Sequence, residues 1–554
     1  MAPQIVADLP GVHSDFVAAK MSKLPCSYDA ENKIWKGIPQ NSPFKPETSL
    51  GRIIFKGMRN WPKNVCQISD SEGVEVTFQQ ALTWAIRIAQ HLKSRGLDHK
   101  DIIGISARNT TYIMPTAVAC FFHGTPFQSA NPILEESTLK HLYNISRPKI
   151  IFTDADHYEK LYSATSEFKP EIILTTGTKD GILSIQDLLH PTKTEFFYQP
   201  TPLKEGPKQT VAILTSSGTT GMPKAVCISN DILSQETVFV NGNDTIFISA
   251  SLDWITGLWA TIFSTVNGCT RIISSKPFAP EYFVHLVSKY SITYALIPPE
   301  HCCSLLDCPT ATPDKMVSLT KLNFGGGRMT QATVERIKKL APNGVLNSSY
   351  GMTEVGFIAF NHGHLKLTAA GNPLPGTKIK ILDDEGNQLG VNQTGEIVVH
   401  NGFNWNGYFA DPAATKEVRD EEGWFKTGDM GYFDEDDYLY MTDRKKEVLK
   451  WKGLQMWPAE VEAVIDELPE VKRVCVIGVY DETQGDVPGA LVVREDNATL
   501  TAQQVIDHVA KRLPDIQKQL RAGVQFADEI PQNHNGKAVR RYARDLFVAL
   551  SKKN

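Results

Sequence analysis

The chain has no excess of basic residues, no long apolar run and no low-complexity tract. Its 57 Lys and Arg residues are outnumbered by 62 Asp and Glu residues, which gives a net charge of −5. This balance does not indicate a basic nucleic-acid-binding surface. The longest nearly apolar run, about residues 112–122, is too short to cross a bilayer as a helix. With 42% hydrophobic and 21% charged residues, the composition is typical of a globular protein.

Cysteines are few, scattered and odd in number. The nine residues predict reduced thiols rather than a disulfide framework. His301, Cys302, Cys303 and Cys308 form the one cluster that would suit zinc. No second ligand pair follows at zinc-finger spacing, so a metal site there is not favoured.

The two ends of the sequence carry no recognisable targeting signal. The first fifteen residues, MAPQIVADLPGVHSD, lack the basic start and apolar segment of a secretory signal. The last four, Ser551-Lys552-Lys553-Asn554, do not form a peroxisomal tripeptide. We therefore expect a cytoplasmic location without a transmembrane segment, with the peroxisome as the alternative.

Helices and strands alternate through the first 350 residues. Thr77 and Gln80 fit the capping box of a helix that Gly96 ends. Strands are predicted at 102–106 and 149–153, on either side of an apolar helical segment. This alternation predicts an α/β sheet packed between helices.

The remaining segments differ from this part in composition and in predicted secondary structure. A chain of 554 residues is also long enough for more than one domain. Residues 1–50 are polar and rich in proline, and we predict that they wrap the surface. Short strands joined by Gly and Asp turns begin near residue 378 and predict a distorted β-barrel-like subdomain that closes the large domain. After Arg444 a helix starting near Pro458 opens a small α+β domain. The predicted units are a large domain, 1–442, a hinge, 443–446, and a small mobile C-terminal domain, 447–554.

The segment Thr215–Lys224, TSSGTTGMPK, follows an apolar strand and is typical of phosphate binding. Glycines let the backbone approach a ligand, while hydroxyls, free N–H groups and a lysine suit a polyphosphate. The segment is not a P-loop, because only two residues separate Gly218 from Gly221 and Ala225 follows the lysine. A polar hairpin loop is the alternative interpretation.

The run TSSGTTGMPK closely resembles the phosphate-binding signature of the adenylate-forming superfamily, which holds acyl- and aryl-CoA synthetases, peptide-synthetase adenylation domains and beetle luciferases. Four further segments resemble signatures of this superfamily in the same order: Tyr350–Glu354 (YGMTE), Thr427–Gly431 (TGDMG), Asp443–Gly453 (DRKKEVLKWKG) and Asn535–Lys537 (NGK). The resemblance spans nearly the whole chain and is closest to the 4-coumarate–CoA ligase and luciferase branch.

The resemblance implies that the chain binds ATP and Mg²⁺. Lys224 and its neighbouring hydroxyls would hold the β- and γ-phosphates, Glu354 would place the metal, and Thr353 would contact the α-phosphate. Tyr350 has an aromatic face suited to adenine, and three glycines that end a short strand would let a flat ligand lie against bare backbone. The implied nucleotide-binding residues are Thr215, Ser216, Ser217, Gly218, Thr219, Thr220, Gly221, Gly325, Gly326, Gly327, Tyr350, Gly351, Thr353, Asp429 and Arg444.

Several of these residues have ordinary interpretations when taken alone. Glu354 would be a solvated surface acid, Asp429 a turn residue, Arg444 a surface arginine and Gly325–Gly327 a flexible turn. Lys537 would be a surface lysine. By resemblance, Asp429 and Arg444 instead bind the ribose hydroxyls, and Lys537 is the adenylation lysine that contacts both the carboxylate and the α-phosphate.

The resemblance also implies a second half-reaction with coenzyme A. Lys446 matches the hinge about which relatives rotate their small domain after adenylation. Gly453 would then let a pantetheine arm pass against the backbone, and Lys450 would assist the thiol step.

The sequence departs from the family at the acid-binding motif. Relatives of this branch usually have a histidine about thirty residues after the phosphate-loop lysine, and Trp254 stands in its place. An indole donates one hydrogen bond but does not titrate. Phe357 is bulkier than most residues at its position, so Trp254 and Phe357 predict a tight aromatic substrate pocket.

Together these features predict an acid–CoA ligase that adenylates a fatty or aryl-propenoic acid with ATP and then transfers the acyl group to coenzyme A. Two alternatives remain. A luciferase-like oxygenase would share the first half-reaction, and a non-catalytic relative would bind nucleotide or acyl groups without turnover.

Overall fold

The computed structural model describes residues 23–39, 44–216, 223–235, 240–327, 329, 331–364, 366–532 and 538–552. Within these ranges the helices are α1 (Leu50–Asn60), α2 (Phe78–Ser94), α3 (Ile113–His123), α4 (Glu136–Ser146), α5 (Tyr158–Ala164), α6 (Asn230–Gln235), α7 (Ile255–Asn267), α8 (Pro280–Tyr290), α9 (Pro299–Leu306), α10 (Gln331–Leu340), α11 (Pro412–Val418), α12 (Pro458–Ile465), α13 (Ala502–Arg512) and α14 (Arg540–Ser551).

The strands of the same ranges form four sheets. They are β1 (Cys26–Asp29), β2 (Ile34–Gly37), β3 (Val65–Ser69), β4 (Val74–Thr77), β5 (Ile103–Ser106), β6 (Phe127–Ser129), β7 (Ile150–Asp154), β8 (Glu171–Thr176), β9 (Thr210–Thr215), β10 (Ala225–Ser229), β11 (Thr245–Ile248), β12 (Thr270–Ile273), β13 (Tyr294–Ile297), β14 (Lys321–Gly325), β15 (Val345–Met352), β16 (Gly356–Asn361), β17 (Asn372–Pro373), β18 (Lys378–Leu382), β19 (Gln388–Leu389), β20 (Gly395–His400), β21 (Phe425–Phe433), β22 (Leu439–Arg444), β23 (Leu449–Trp451), β24 (Leu454–Met456), β25 (Val471–Asp481), β26 (Gly485–Arg494) and β27 (Gly523–Phe526).

A six-stranded sheet has the order β10-β9-β6-β5-β7-β8. Its strands run parallel except for β10, which returns antiparallel to β9. Strands β5, β7 and β10 are buried along their whole length, as expected for strands covered by helices on both faces. The predicted phosphate segment connects β9 to β10 in the sequence.

A nine-stranded sheet has the order β17-β16-β15-β14-β13-β11-β12-β3-β4. Its central strands are parallel and its edge strands antiparallel. One large hydrophobic cluster joins this sheet to the six-stranded sheet through α1, α2, α3 and α7. A second cluster covers the other face of the nine-stranded sheet with α8, α9 and α10. The predicted α/β layering is therefore confirmed.

The capping box predicted for α2 is present. The Gln80 backbone N–H donates to the Thr77 hydroxyl at 3.2 Å, and the Thr77 N–H donates to the Gln80 side chain at 2.9 Å. Gly96, just beyond the helix, has a φ of +72°. Local chemistry thus sets both ends of this helix.

A seven-stranded antiparallel sheet forms the predicted subdomain, with the order β1-β2-β18-β20-β21-β22 and β19 beside β18. The sheet is open, so the subdomain is barrel-like only in its antiparallel strands. The prediction that residues 1–50 merely wrap the surface is wrong for β1 and β2. Trp35 of β2 is fully buried and stacks on Phe433 with ring centroids 4.2 Å apart. This contact and the pairing of β2 with β18 make the two strands part of the sheet.

The C-terminal part of the chain builds a five-stranded sheet, β24-β23-β26-β25 with β27 beside β26. Helices α12 and α13 cover one side of it in their own hydrophobic cluster, and α14 contributes to another. The backbone of the predicted hinge passes through a short turn at Lys445–Glu447. In the described part of the chain, helices with the length and apolarity for a membrane crossing are absent.

Candidate active site

Lys224 lies directly before β10, at the end of the predicted phosphate segment. Its backbone N–H donates to the Ser216 hydroxyl at 3.2 Å, and its carbonyl accepts from the Ser216 N–H at 2.9 Å. Thr215 pairs with Ala225 across the two strands. These contacts join the two ends of the segment and place Lys224 beside the last residues of β9.

Glu354 occupies the tight turn between β15 and β16 and is only 6% exposed. Its Oε1 accepts a hydrogen bond from the Tyr408 hydroxyl at 2.9 Å. Burial raises the pKa of this carboxyl, while the Tyr408 hydrogen bond and the positive charges of Arg444 and Lys224 oppose the rise. A buried carboxylate within the electrostatic reach of Lys224 is a suitable ligand for a hard divalent cation such as Mg²⁺, which usually takes one or two carboxylates and retains water.

Tyr350 and Asp429 connect two sheets. The Tyr350 hydroxyl on β15 donates to Asp429 Oδ2 on β21 at 2.8 Å, and burial raises the pKa of Tyr350. Arg444 is the cross-strand partner of Asp429, with its Nε 3.4 Å from Asp429 Oδ1. Three residues that the sequence implied for the nucleoside are therefore in direct contact, although 79 residues separate Tyr350 from Asp429.

The three glycines lie at the end of β14, next to β15. Gly325 pairs with Ser349, the residue before Tyr350, and a Cβ on Gly325 would lie 2.8 Å from the Ser349 hydroxyl. Gly326 has a φ of +86°, which favours glycine. The glycine backbone thus lies next to the strand that carries Tyr350. Gly351 is exposed and Thr353 half-buried in the same turn region.

An aromatic pocket lies between α7 and the nine-stranded sheet. It encloses about 370 Å³ of space, part of it open to solvent. Phe357 lines it and stacks on Trp259 with ring centroids 3.8 Å apart and an angle of 11° between the planes. The residues that line it are Ile248, Thr256, Trp259, Phe263, Tyr294, Leu296, Asn323, Ser349, Phe357 and Phe360.

Trp254 is at the N-terminal boundary of α7, outside the residues that line this pocket. Its N–H donates to the Ser251 carbonyl at 3.1 Å, and its own carbonyl accepts from the Leu258 N–H at 2.9 Å. The sequence reasoning therefore paired Phe357 with a residue that begins the pocket helix, and it missed Trp259, five residues further along α7. The sequence did contain one indication: Trp259 stands three residues after Thr256 and therefore lies on the same face of α7.

Lys450 and Gly453 are on the β23–β24 hairpin of the five-stranded sheet. Lys450 is exposed, and its N–H donates to Asp486 Oδ2 at 3.0 Å. Lys452 and Gly453 form the turn with φ values of +48° and +78°. The hydrogen bond and strand pairing of this hairpin lie within the C-terminal sheet.

Six predicted site residues lie outside the described residues: Ser217, Gly218, Thr219, Thr220, Gly221 and Lys537. On either side of residues 533–537, Gln532 and Ala538 form a β-bridge, and the Val539 N–H donates to the Pro531 carbonyl at 2.9 Å. Lys446 is described only by its backbone, in the turn after β22.

Tyr408 is the functional candidate that sequence reasoning missed. Its hydroxyl bonds Glu354, and the Lys224 ammonium nitrogen lies 4.6 Å from the centre of its ring. The sequence gave little indication of a role for Tyr408, which stands four residues before Pro412 and outside the five motifs named above.

Comparisons with known proteins cover most of the chain. A family model described as "AMP-binding enzyme" matches residues 54–409, and one described as "AMP-binding enzyme C-terminal domain" matches residues 460–537. A luciferin 4-monooxygenase of Luciola mingrelica is 29% identical over 91% of this chain and 96% of its own length. A 4-coumarate–CoA ligase 3 of Oryza sativa subsp. japonica is 28% identical over 90% and 92%.

Among solved structures, ATP-bound MatB from Rhodopseudomonas palustris superposes with a TM-score of 0.81 at 23% identity, covering 90% of this chain and 99% of MatB. This likeness concerns the fold. Since the first family model alone spans more than half of the chain, the chain belongs to the AMP-binding, adenylate-forming enzymes, and among them it is similar to 4-coumarate–CoA ligases and luciferases.

Proposed function

We propose that the protein is an acid–CoA ligase that uses ATP to activate a carboxylic acid, either a fatty acid or an aryl-propenoic acid. The observation that carries the proposal is the direct contact of Tyr350 and Arg444 with Asp429. Gly325 pairs with Ser349, the residue before Tyr350, and the charges of Arg444 and Lys224 act on Glu354. An aromatic face can stack on the adenine, and a carboxylate and a guanidinium can hydrogen-bond to the ribose hydroxyls.

In the first half-reaction, an oxygen of the acid attacks the α-phosphorus of ATP. The new acyl–O–P bond forms as the bond to the β-phosphate breaks, and pyrophosphate leaves. Such a displacement depends mainly on positioning and on charge neutralisation. Lys224 would hold the β- and γ-phosphates, and Lys537 would neutralise charge at the α-phosphate and the acid.

Magnesium fits the site through Glu354, whose buried carboxylate has only a neutral hydroxyl as its hydrogen-bond donor among the described side chains. When bound, the ion would neutralise charge on the phosphates. Tyr350 and the glycines would hold the adenine, while Asp429 and Arg444 would hold the ribose hydroxyls.

In the second half-reaction, the sulfur of coenzyme A attacks the acyl carbon, AMP leaves, and the thiol proton passes to solvent. We propose that the small domain, residues 447–554, turns about Lys446 for this step and brings Lys450 and Gly453 to the site. The exposure of Lys450 and Gly453 supports the proposal, because both residues are open to a ligand after a rotation.

The test is acid-dependent exchange of labelled pyrophosphate into ATP across fatty and aromatic acids, with Lys537→Ala beside the wild type. Exchange that disappears in the variant supports adenylation and identifies the acid class. Added coenzyme A then separates thioester formation from light emission or another oxygen-dependent reaction. ATP binding without exchange for every acid would refute the ligase and leave a nucleotide-binding relative.

A further inference from the structure

Tyr408 lies between the two charged groups proposed for the phosphates and the metal. Its hydroxyl donates to Glu354 Oε1 at 2.9 Å, and its ring faces the Lys224 ammonium group 4.6 Å from the ring centre. The hydroxyl and the ring thus contact different partners. Neither contact depends on a residue of the recognised motifs other than these two.

Backbone pairing fixes this arrangement. Residues 407–409 run antiparallel beside β10: the Cys227 N–H donates to the Gly407 carbonyl at 3.0 Å, and the Phe409 N–H donates to the Ala225 carbonyl at 2.7 Å. Val226 and Tyr408 form the bridge between them. Because β10 begins immediately after Lys224, the same pairing sets the position of the lysine and of the tyrosine.

The backbone and the ring of Tyr408 have further contacts. The Tyr408 backbone N–H donates to the Thr415 hydroxyl at 2.9 Å, and the Trp405 ring meets the Tyr408 ring edge to face with centroids 5.2 Å apart. Gly407 has a φ of +82°, and a Cβ there would lie 2.5 Å from the Thr415 hydroxyl. These contacts hold the backbone at Tyr408 and pack one side of its ring.

We propose that Tyr408 is a positioning residue that sets the phosphate-binding lysine and the metal-binding carboxylate relative to each other, the ring acting on Lys224 and the hydroxyl on Glu354. The inference rests on the proposed function of those two residues. It assigns separate tasks to two parts of one side chain, so two substitutions separate them.

Tyr408→Phe keeps the ring and removes only the hydroxyl. We expect the magnesium concentration that gives half of the maximal pyrophosphate exchange to rise about tenfold, because Glu354 loses its hydrogen bond. Calorimetry of ATP binding in EDTA should stay within about twofold of wild type, because the contact of Lys224 with the ring remains. The tightening of ATP binding by added magnesium should shrink in the same experiment.

Tyr408→Leu removes the ring as well. Its metal-free ATP affinity should fall about threefold, in addition to the magnesium effect of the phenylalanine variant. The matched control is Tyr290→Phe, which deletes another tyrosine–carboxylate hydrogen bond, 2.7 Å to Asp70, that involves neither Lys224 nor Glu354. The control should leave both readouts unchanged.

The proposal is overturned if Tyr408→Phe shows wild-type magnesium dependence, or if it weakens metal-free ATP binding as much as Tyr408→Leu does. If the leucine variant does not fold, the magnesium shift of the phenylalanine variant alone decides. A wild type without exchange would refute the proposed function, while the calorimetric comparison would still test the contact between Tyr408 and Lys224.

Discussion

The Tyr350 hydroxyl donates to Asp429 Oδ2 at 2.8 Å and thereby links the nine-stranded sheet to the seven-stranded sheet. Arg444 approaches the other oxygen of the same carboxylate at 3.4 Å. The carboxylate is therefore oriented from two sides before any ligand arrives. Such preorganisation lowers the entropy that binding must overcome.

Asp429→Asn should weaken ATP binding while leaving the orientation of this side chain largely intact. We expect the KM for ATP to rise about tenfold or more, because hydrogen bonds to a charged acceptor are lost. The preference of the enzyme for ATP over 2′-deoxy-ATP should shrink in the variant, as steady-state exchange kinetics would reveal. Glu421→Gln, an exposed residue nearby in sequence, is the control. Unchanged discrimination would argue against ribose binding at Asp429.

Lys450→Ala should separate the two half-reactions. Pyrophosphate exchange is expected to stay near wild type, and transfer of a preformed acyl-adenylate to coenzyme A to slow about a hundredfold. Single-turnover quenching of the isolated adenylate complex measures the second step directly. Lys452→Ala, on the turn of the same hairpin, is the control. A loss of exchange in Lys450→Ala would contradict the assignment.

Phe357→Leu should enlarge the aromatic pocket, because Phe357 stacks face to face on Trp259. The kcat/KM values across a series of straight-chain acids should shift toward longer chains. Lost packing should also lower the free energy of unfolding by about 1–2 kcal/mol. Phe197→Leu, at a side chain that is 81% exposed, should alter neither quantity. An unchanged chain-length profile would place the acid elsewhere.

Asp466 predicts a pH dependence of stability in the C-terminal part of the chain. Burial, and then the charge of Glu462, raises the pKa of Asp466 to about 7 from 3.8. The folded state therefore favours the protonated form, so the stability that this group confers is full at low pH and is lost as the pH rises from about 4 to about 7.

Asp466→Asn should consequently stabilise the protein at pH 8 and not at pH 4. We expect a gain of about 1–2 kcal/mol in urea unfolding at pH 8, less than the full shift would give because the side chain is half-buried. Asp528→Asn, an exposed carboxylate of the same region, serves as control. An equal gain at both pH values would rule out titration of Asp466 as the cause.

Thr77→Ala should lower the free energy of unfolding by about 1 kcal/mol, because the first turn of α2 loses its cap. Thr77→Ser retains the hydroxyl and should lose little. Thermal unfolding of the three proteins side by side measures the difference. A serine variant as unstable as the alanine variant would show that packing of the threonine methyl, rather than capping, dominates.

Features that depend on neighbouring residues could be predicted from the sequence. The capping box at Thr77 and the strands predicted at 102–106 and 149–153 correspond to α2, β5 and β7, because short-range hydrogen bonding and apolar patterning favour them. The ordered motifs also placed Glu354 and Asp429 in one functional group, because they resemble signatures that work together.

Contacts between side chains that are distant in sequence became known only from the folded structure. Trp35 enters the seven-stranded sheet, Trp259 covers Phe357, and Tyr408 contacts Glu354 across 54 residues of chain. These contacts arise from sheet pairing and core packing, whose free energy depends on the whole chain rather than on a local pattern. A local periodicity or motif does not specify which distant residue a side chain contacts, because that depends on how the whole chain packs.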